Sequence, residues 1–218
     1  MPIYKPVKEK MKQKIYVLLH CESCYNRNGI FTGRADSILT KKGHEHAFEL
    51  AKKLKDVEIN TAYRSSLTRA KQTLEHLLAY HPETQVVVDE RIIERDYGEL
   101  SSLKKSKYKK DHPMLFPIYH RSYDIAPPKG ESIQQVEKRV ASFIYNLLSE
   151  MKNNKGNVLI IGHGNSMRPF RRFFENLSIE KMMQLENQRD KIFTYEIDVN
   201  EKLSEFKLRS KLCGYLNH

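Results

Sequence analysis

Two short runs of uninterrupted apolar residues constrain the fold of this chain more than any other feature of its sequence. The first is IYVLLH at residues 15–20, and the second is VLIIG at residues 158–162. Neither run alternates between apolar and polar residues, as a strand with one face in water would. Both runs therefore predict strands that are buried on both faces, as in a parallel sheet covered by helices.

Segments with helical periodicity separate these strands. Helices are predicted at residues 41–54 with Thr40 as N-cap, at 66–80, from Glu131 through Met151, and at 165–175. Further short strands are predicted at residues 60–64, 85–89, 191–199 and 204–208. This alternation predicts an α/β fold, a three-layer α/β/α sandwich with a mostly parallel central sheet and a small lid.

The chain of 218 residues fits one domain of ordinary size. We expect a single catalytic domain over residues 15–210, preceded by a basic N-terminal extension at 1–14 and followed by a C-terminal tail at 211–218. Residues 95–130 are rich in lysine and proline, and they are predicted to form an irregular excursion over the site.

The formal net charge of +11 favours a small anionic partner. A solvated lysine-rich surface is the alternative explanation, and no nucleic-acid-binding motif accompanies the lysine run at residues 104–110. No apolar run approaches the length of about 18 residues that a membrane helix needs. The sequence therefore predicts a cytoplasmic protein that binds neither nucleic acid nor membrane, and it leaves a homo-oligomer possible.

Cys21 and Cys24 form a C-x-x-C pair, and Cys213 is the third cysteine. A redox pair would need a thioredoxin-like setting, and a zinc site would need a second pair of ligands. The sequence shows neither of these, and it contains no H-E-x-x-H motif or Walker loop. We therefore interpret the thiols as incidental and expect chemistry without a metal.

Two histidines mark a candidate catalytic site. His20 ends the first predicted strand and His163 follows a later one, so both are expected at the carboxyl edge of the sheet, where α/β folds bind ligands. We expect the two imidazole rings to face each other across a common anion pocket. A neutral imidazole is a nucleophile near pH 7, so His20 can accept a phosphoryl group as phosphohistidine.

Two further side chains fit the same chemistry. Arg69 lies near the start of the helix after the second strand, where Ser65 and Ser66 are predicted to cap the helix and turn its N-terminus toward the pocket. Glu94 follows a short strand and can act as the general acid and base of the transfer. An exposed arginine and a surface Glu–Arg pair are the alternative interpretations.

Six segments resemble motifs of the histidine phosphatase superfamily, and in particular of its cofactor-dependent phosphoglycerate mutases. The resemblance spans about residues 15 to 200. The segments are LLHCESCYN (18–26), FTGRAD (31–36), SSLTRAKQT (65–73), ERDYGEL (94–100) with Lys105, YHRSYDIAPP (119–128) and GHGNSMR (162–168).

The resemblance implies a phosphoglycerate mutase that interconverts 3-phosphoglycerate and 2-phosphoglycerate in glycolysis and gluconeogenesis, with 2,3-bisphosphoglycerate as the phosphorylating primer. It implies that His20 is phosphorylated, that Glu94 moves the proton, and that Arg69 and His163 clamp the phosphoryl group. The residues implied to bind substrate are Asn26, Thr32, Gly33, Arg95, Tyr97, Lys105, Arg121, Gly164 and Asn165.

The chain departs from the family pattern beside the nucleophile. Leu19 stands where the family has arginine, so one phosphate clamp is lost. Cys21 stands where the family has glycine, so its side chain is expected to crowd the pocket or bend the loop, and His120 replaces one of the family's paired substrate arginines. Arg34, where the family has tryptophan, is a candidate source of replacement charge. These departures keep open a phosphatase of the same superfamily, acting on small phosphomonoesters, and a catalytically weak phosphate-binding protein.

Overall fold

A computed structural model of the chain describes residues 12–154 and 156–198. The described strands form one five-stranded sheet in the order β3-β2-β4-β1-β5. They are β1 (Lys12–Leu19), β2 (Thr61–Arg64), β3 (Gln85–Val88), β4 (Val158–Gly162) and β5 (Phe193–Asp198). The first four strands run parallel and β5 is antiparallel to β1, so the predicted mostly parallel sheet is confirmed.

Helices cover both faces of the sheet, as predicted. They are α1 (Cys24–Arg27), α2 (Lys41–Leu54), α3 (Thr68–Leu78), α4 (Lys105–Asp111), α5 (Leu115–Arg121), α6 (Ile133–Asn153), α7 (Met167–Glu175) and α8 (Ile179–Gln184). Alternate residues of β1 pack into two different hydrophobic cores, one on each face of the sheet. Val17 packs with α6 and α7, whereas Leu18 packs with α2 and α3, which explains why residues 15–19 of the strand are apolar without interruption.

The register of the two central strands places the two histidines side by side. Leu19 of β1 pairs with Gly162 of β4 across the parallel ladder. The amide of His20 continues this pairing and donates to the carbonyl of Gly162 at 3.1 Å. The residues that follow these strand ends, His20 and His163, are therefore neighbours at the carboxyl edge of the sheet.

The helix starts agree with the sequence at α2 and differ at α3. Thr40 caps α2, and its side chain accepts a hydrogen bond from the amide of Gly43 at 2.9 Å. The predicted capping of α3 by serines is wrong, because Leu67 is the N-cap and has no side-chain bond. Asp36, which is distant in sequence, accepts instead from the amide of Thr68 at 2.9 Å.

The excursion at residues 95–130 is not irregular, which corrects the prediction. It contains α4 and α5 as well as a short 3-10 turn at Gly98–Leu100. The apolar side of these elements packs around Phe31 in a small cluster of its own, which also contains Tyr97, Leu100, Tyr108, Phe116 and Tyr119. This packing supplies the stabilisation that a short lysine-rich helix lacks when isolated.

The predicted domain boundaries stay predictions. β1 includes Lys12 to Lys14, which the sequence had assigned to the N-terminal extension. The predicted strand at 204–208, Cys213 and the C-terminal tail lie outside the described residues.

Within the described ranges, no helix combines the length and apolar character that crossing a membrane requires. No three histidine, cysteine or acidic side chains among these residues are grouped to hold a metal ion.

Candidate active site

A cavity of about 260 Å³ opens at the carboxyl edge of the sheet. Strand ends, the excursion and the loop after α8 all contribute to its wall. The lining residues are Leu19, His20, Asn26, Thr32, Gly33, Arg69, Glu94, Tyr97, Lys105, His120, Arg121, Gly164, Asn165, Arg168, Glu186, Asn187 and Arg189. Most of the residues expected from the sequence are therefore brought together in one pocket.

His20 is held in the tautomer that a nucleophile needs. Its Nδ1 lies 2.7 Å from the carbonyl oxygen of Cys21. A carbonyl can only accept a hydrogen bond, so Nδ1 carries the proton and Nε2 keeps its lone pair. Burial lowers the pKa of His20 well below 6.5, and the positive charges of Arg69 and Arg189 lower it further. The ring is therefore neutral at physiological pH.

His163 lies against His20, but its position corrects the expected geometry. The two ring centroids are 5.1 Å apart, so the rings contact each other and do not face across an open pocket. His163 is fully buried and does not line the cavity. Its Nε2 lies 2.8 Å from Ser65 Oγ, and its Nδ1 has no hydrogen-bond partner. Burial and the charge of Arg69 keep its pKa well below 6.5.

Arg69 reaches the cavity from the first turn of α3. Its two terminal nitrogens donate to the carbonyls of Ala35 at 3.0 Å and Gly33 at 2.7 Å, which fixes the plane of the guanidinium. Its Nε is buried without a partner. Burial lowers the pKa of Arg69 from its usual value, but a guanidinium remains charged in proteins. A fixed, partly unsatisfied cation beside His20 is suited to binding an anion.

Hydrogen bonds hold one of the two carboxylate oxygens of Glu94. Oε1 accepts from the amides of Arg95 at 2.7 Å and Asn165 at 3.1 Å. The backbone carbonyl of Glu94 accepts from Arg139 at 3.2 Å, which ties this segment to α6. Within the described part of the chain, hydrogen bonds reach Oε1 and not Oε2, so Glu94 has one carboxylate oxygen available for proton transfer.

Arg95 does not line the cavity, although the sequence placed it among the substrate-binding residues. It is fully buried, and its Nε donates to the carbonyl of Glu131 at 2.6 Å. Its guanidinium also lies over the ring of Tyr97 at 5.1 Å. These contacts hold the segment before α6 in place beneath the excursion, so Arg95 supports the wall without forming it.

The other predicted binding residues lie in the cavity wall. Gly33 adopts a φ of +52°, and a Cβ there would come within 3.1 Å of the Tyr97 amide, so only glycine fits this close approach. The side-chain amide of Asn165 donates to the hydroxyl of Tyr97 at 3.4 Å. The α1 residue Asn26 and the neighbouring Thr32 complete this side.

A second group of basic side chains lies at the excursion side of the cavity. Lys105 lies over the Phe31 ring at 5.5 Å, and Arg121 pairs with Glu186 at 3.5 Å. Burial lowers the pKa of His120 to about 4, with the charges of Lys105, Arg121, Arg95 and Arg168 adding to the effect. His120 is therefore a neutral residue within a strongly positive environment.

The two departures beside the nucleophile have different consequences. Leu19 lines the cavity and also packs in the core under α6 and α7, so it offers the pocket no hydrogen-bond donor. The expected crowding by Cys21 is wrong, because its side chain packs with α2 and α3, away from the cavity. Burial raises the pKa of this thiol to about 12, so it is unreactive at physiological pH.

The sequence did not predict a binding role for four residues of the wall, which are Arg168, Glu186, Asn187 and Arg189, and it identified His120 only as the replacement of a family arginine. His120 and Arg168 lie within the segments YHRSYDIAPP (119–128) and GHGNSMR (162–168), which resemble family motifs, so these segments could have indicated both residues. The other three lie in the loop after α8, where no motif or periodicity points to a site. Only the fold brings this loop to the cavity.

Solved structures with the same fold include both mutases and phosphatases. A phosphoglycerate mutase from Bacillus anthracis superposes with a TM-score of 0.73 at 22% identity, covering 93% of this chain and 97% of that one. A mycobacterial glucosyl-3-phosphoglycerate phosphatase superposes with a TM-score of 0.75 at 21% identity, covering 85% and 90%. At these identities the likeness shows the fold alone.

Sequence comparison assigns the family. A 2,3-bisphosphoglycerate-dependent phosphoglycerate mutase from Bartonella bacilliformis is 32% identical over 203 residues, which cover 91% of this chain and 98% of that protein. The sequence pattern of the histidine phosphatase superfamily (branch 1) matches residues 15–207. With the paired histidines at the strand ends, these matches show that the chain belongs to the histidine phosphatase superfamily.

Proposed function

We propose that this protein is a phosphoglycerate mutase that interconverts 3-phosphoglycerate and 2-phosphoglycerate through a phosphohistidine at His20. The observation that carries this proposal is a cavity with two basic ends. One end holds His20 with Arg69, and the other holds the cations Lys105 and Arg121 beside the neutral His120. A phosphoglycerate has a phosphate and a carboxylate, so two cationic ends match its two anionic groups.

In the proposed transfer, His20 Nε2 attacks phosphorus while Nδ1 keeps its proton and donates it in a hydrogen bond to the Cys21 carbonyl. The N–P bond forms as the ester P–O bond breaks, and the Glu94 carboxyl gives its proton to the leaving oxygen. In the second half, a hydroxyl oxygen attacks phosphorus, the N–P bond breaks, and Glu94 takes the hydroxyl proton. Arg69 stabilises the charge on the equatorial oxygens throughout.

The residues present fit a bisphosphorylated primer. Such a molecule carries anionic groups at both ends, and the cavity offers Arg69 at one end and Lys105 with Arg121 at the other. Arg69 Nε is buried without a partner, as expected of a group that completes its hydrogen bonds with a ligand. The primer 2,3-bisphosphoglycerate supplies the phosphoryl group with which His20 is first loaded.

A phosphatase of the same superfamily is the second candidate, and one observation favours it. The Arg121 side chain is 45% exposed and its partner Glu186 is 80% exposed, so the excursion end of the cavity is open to water. Water that reaches the phosphohistidine can replace the second hydroxyl as acceptor. The phosphatases among the structural relatives are consistent with this alternative.

Product analysis with 3-phosphoglycerate separates the candidates. Formation of 2-phosphoglycerate that is stimulated by 2,3-bisphosphoglycerate supports the mutase, whereas release of inorganic phosphate supports the phosphatase. If neither product forms but the ligand raises the melting temperature, the protein binds phosphate groups without turning them over. The His20→Ala variant is the control, because it removes the proposed acceptor and leaves the basic residues in place.

A further inference from the structure

At the phosphate end of the cavity, several of the donors that could hold a transferring phosphoryl group are already committed to the protein. Three equatorial oxygens carry its charge and require fixed donors. Arg69 has committed two of its nitrogens to backbone carbonyls, and the amide of Asn165 is committed to Glu94. Leu19 contributes an apolar wall at this end.

Arg34 does not fill this gap, which corrects the expectation that it lends a replacement charge. Its guanidinium donates to Glu131 at 3.0 Å and lies 3.8 Å from Asp96. It is absent from the cavity wall. An arginine that is paired with two carboxylates outside the pocket adds little positive potential inside it.

Arg189, in the loop after α8, is differently placed. It lines the same cavity as His20 and Arg69. Its Nε is buried and has no hydrogen-bond partner, and no carboxylate within the described ranges forms an ion pair with it. A buried guanidinium nitrogen without a partner is costly in a folded protein unless a ligand completes it.

Two hydrogen bonds fix the loop that presents Arg189. The side-chain amide of Asn187 donates to the carbonyl of Gly164 at 2.9 Å, directly after His163. Arg171 of α7 donates to Asn187 Oδ1 at 3.2 Å. The loop is therefore attached to the turn that carries the second histidine, and Arg189 follows two residues after the attachment point.

The charge of Arg189 also acts at the reaction end of the cavity. Burial is the main cause of the lowered pKa of His20, and the charges of Arg69 and Arg189 lower it further. Around His120 the depressing charges are instead Lys105, Arg121, Arg95 and Arg168. Burial is the main cause of the lowered pKa of Lys105, and the charge of Arg189 lowers it further, so Arg189 acts on the nucleophile and also on the nearest cation of the excursion side.

We infer that Arg189 binds the phosphoryl group at His20, as a second guanidinium beside Arg69. This inference rests on the proposed phosphotransfer at His20 and adds a binding residue to it. Arg189 supplies the charge-assisted donor that Leu19 cannot supply, and it reaches the phosphoryl group from a loop that is far from the nucleophile in sequence.

Binding of orthovanadate, a phosphate analogue, tests this role without requiring turnover. Calorimetric titration of Arg189→Ala is expected to show a Kd about 10- to 100-fold above that of the unaltered protein, the effect of losing one charged hydrogen-bond donor. Arg189→Lys keeps the charge but loses the planar fork, so its Kd is expected to lie between the two. The thermal midpoint without ligand should not change, because Arg189 forms no side-chain hydrogen bond or ion pair with the residues that the structure describes.

Lys191→Ala is the matched control. Lys191 lies two residues after Arg189 in the sequence, and its side chain is exposed and does not line the cavity. The substitution therefore removes a nearby positive charge without changing the cavity wall. It should leave the vanadate Kd within about twofold, since exposed charges are screened. In Arg189→Ala, the pKa of His20 followed by NMR should rise toward its ordinary value, and in Lys191→Ala it should not.

Three results would overturn the inference: no vanadate binding by the unaltered protein, equal affinity in Arg189→Ala, or an equal loss in Lys191→Ala. The proposed function is judged separately, by the product formed from 3-phosphoglycerate. Vanadate affinity that depends on Arg189, without formation of 2-phosphoglycerate, would sustain the role of Arg189 and reject the mutase.

Discussion

The two ends of the cavity are built in opposite ways. At the reaction end, His20 is 3% exposed and His163 and Arg69 are fully buried, and each lies on or beside a strand or helix of the main sandwich. At the excursion end, Arg121 is 45% exposed and lies on a short helix that packs on a small aromatic cluster. The comparison suggests a fixed chemical centre and a more adaptable end for binding the rest of the substrate.

Removing the nucleophile is the strongest test of whether the chemistry lies at the reaction end of the cavity. His20→Ala is expected to lower phosphotransfer by about 1000-fold or more, because no other residue of the cavity offers a neutral imidazole at this position. Labelling with a radioactive phosphoryl donor, followed by peptide mapping, measures the loss. His112→Ala is the matched control, since His112 is exposed on the excursion and outside the cavity. Retained label in His20→Ala would place the chemistry elsewhere.

The second largest effect is expected at the proton-transfer group. Glu94→Gln keeps the size of the side chain but cannot exchange the proton, so kcat should fall about 100- to 10,000-fold with little change in KM. Steady-state kinetics with 3-phosphoglycerate measures this. Glu99→Gln is a suitable control, because Glu99 is paired with the exposed Lys129 and does not line the cavity. A normal kcat in Glu94→Gln would exclude Glu94 as acid and base.

At the excursion end the expected effect is smaller and falls on binding. Arg121→Ala removes a half-exposed cation, so KM should rise about tenfold while kcat changes little. Arg27→Ala, at the end of α1 and outside the cavity, controls for the loss of positive charge. If Arg121→Ala lowers kcat as strongly as Glu94→Gln does, the two ends do not have separate roles.

The smallest effect concerns the dependence of stability on pH. The folded-state pKa values of His20 and His163 lie well below 6.5, so the unfolded chain binds more protons than the folded one below about pH 6.5. Unfolding free energy should therefore fall as pH decreases through about 6.5, by up to about 1.4 kcal/mol per pH unit for each histidine. Urea unfolding between about pH 7.5 and about pH 5 measures this slope.

The His20→Gln variant tests how much His20 contributes to the slope of unfolding free energy against pH. It removes one of the two buried imidazoles, so the slope of unfolding free energy against pH should become shallower. His112→Gln, at an exposed histidine, should leave the slope unchanged. An identical slope in His20→Gln would mean that His20 takes up its proton at the same pH in the folded and unfolded chains.

Much of the reaction end could be predicted because it follows local rules. An apolar run that ends in His20, and a second run followed by His163, are sufficient to place both residues at one sheet edge. The excursion was mispredicted because α4 and α5 have only seven residues each, α4 is lysine-rich with few apolar positions, and α5 contains Pro117, which disfavours a helix. Their stability comes from Phe31, which lies more than seventy residues before α4.

The sequence by itself determined the sheet, the helices of the sandwich and the pair of histidines, because hydrophobic periodicity and strand ends are local properties. Only the tertiary structure decided which cations are available to a ligand. Arg34 is paired with the Glu131 carboxylate outside the cavity, while Arg189 lines the cavity with a buried Nε that has no hydrogen-bond partner, on a loop attached to Gly164. The physical reason is that hydrogen-bond partners far apart in sequence, and not residue type, determine whether a buried charge is already satisfied.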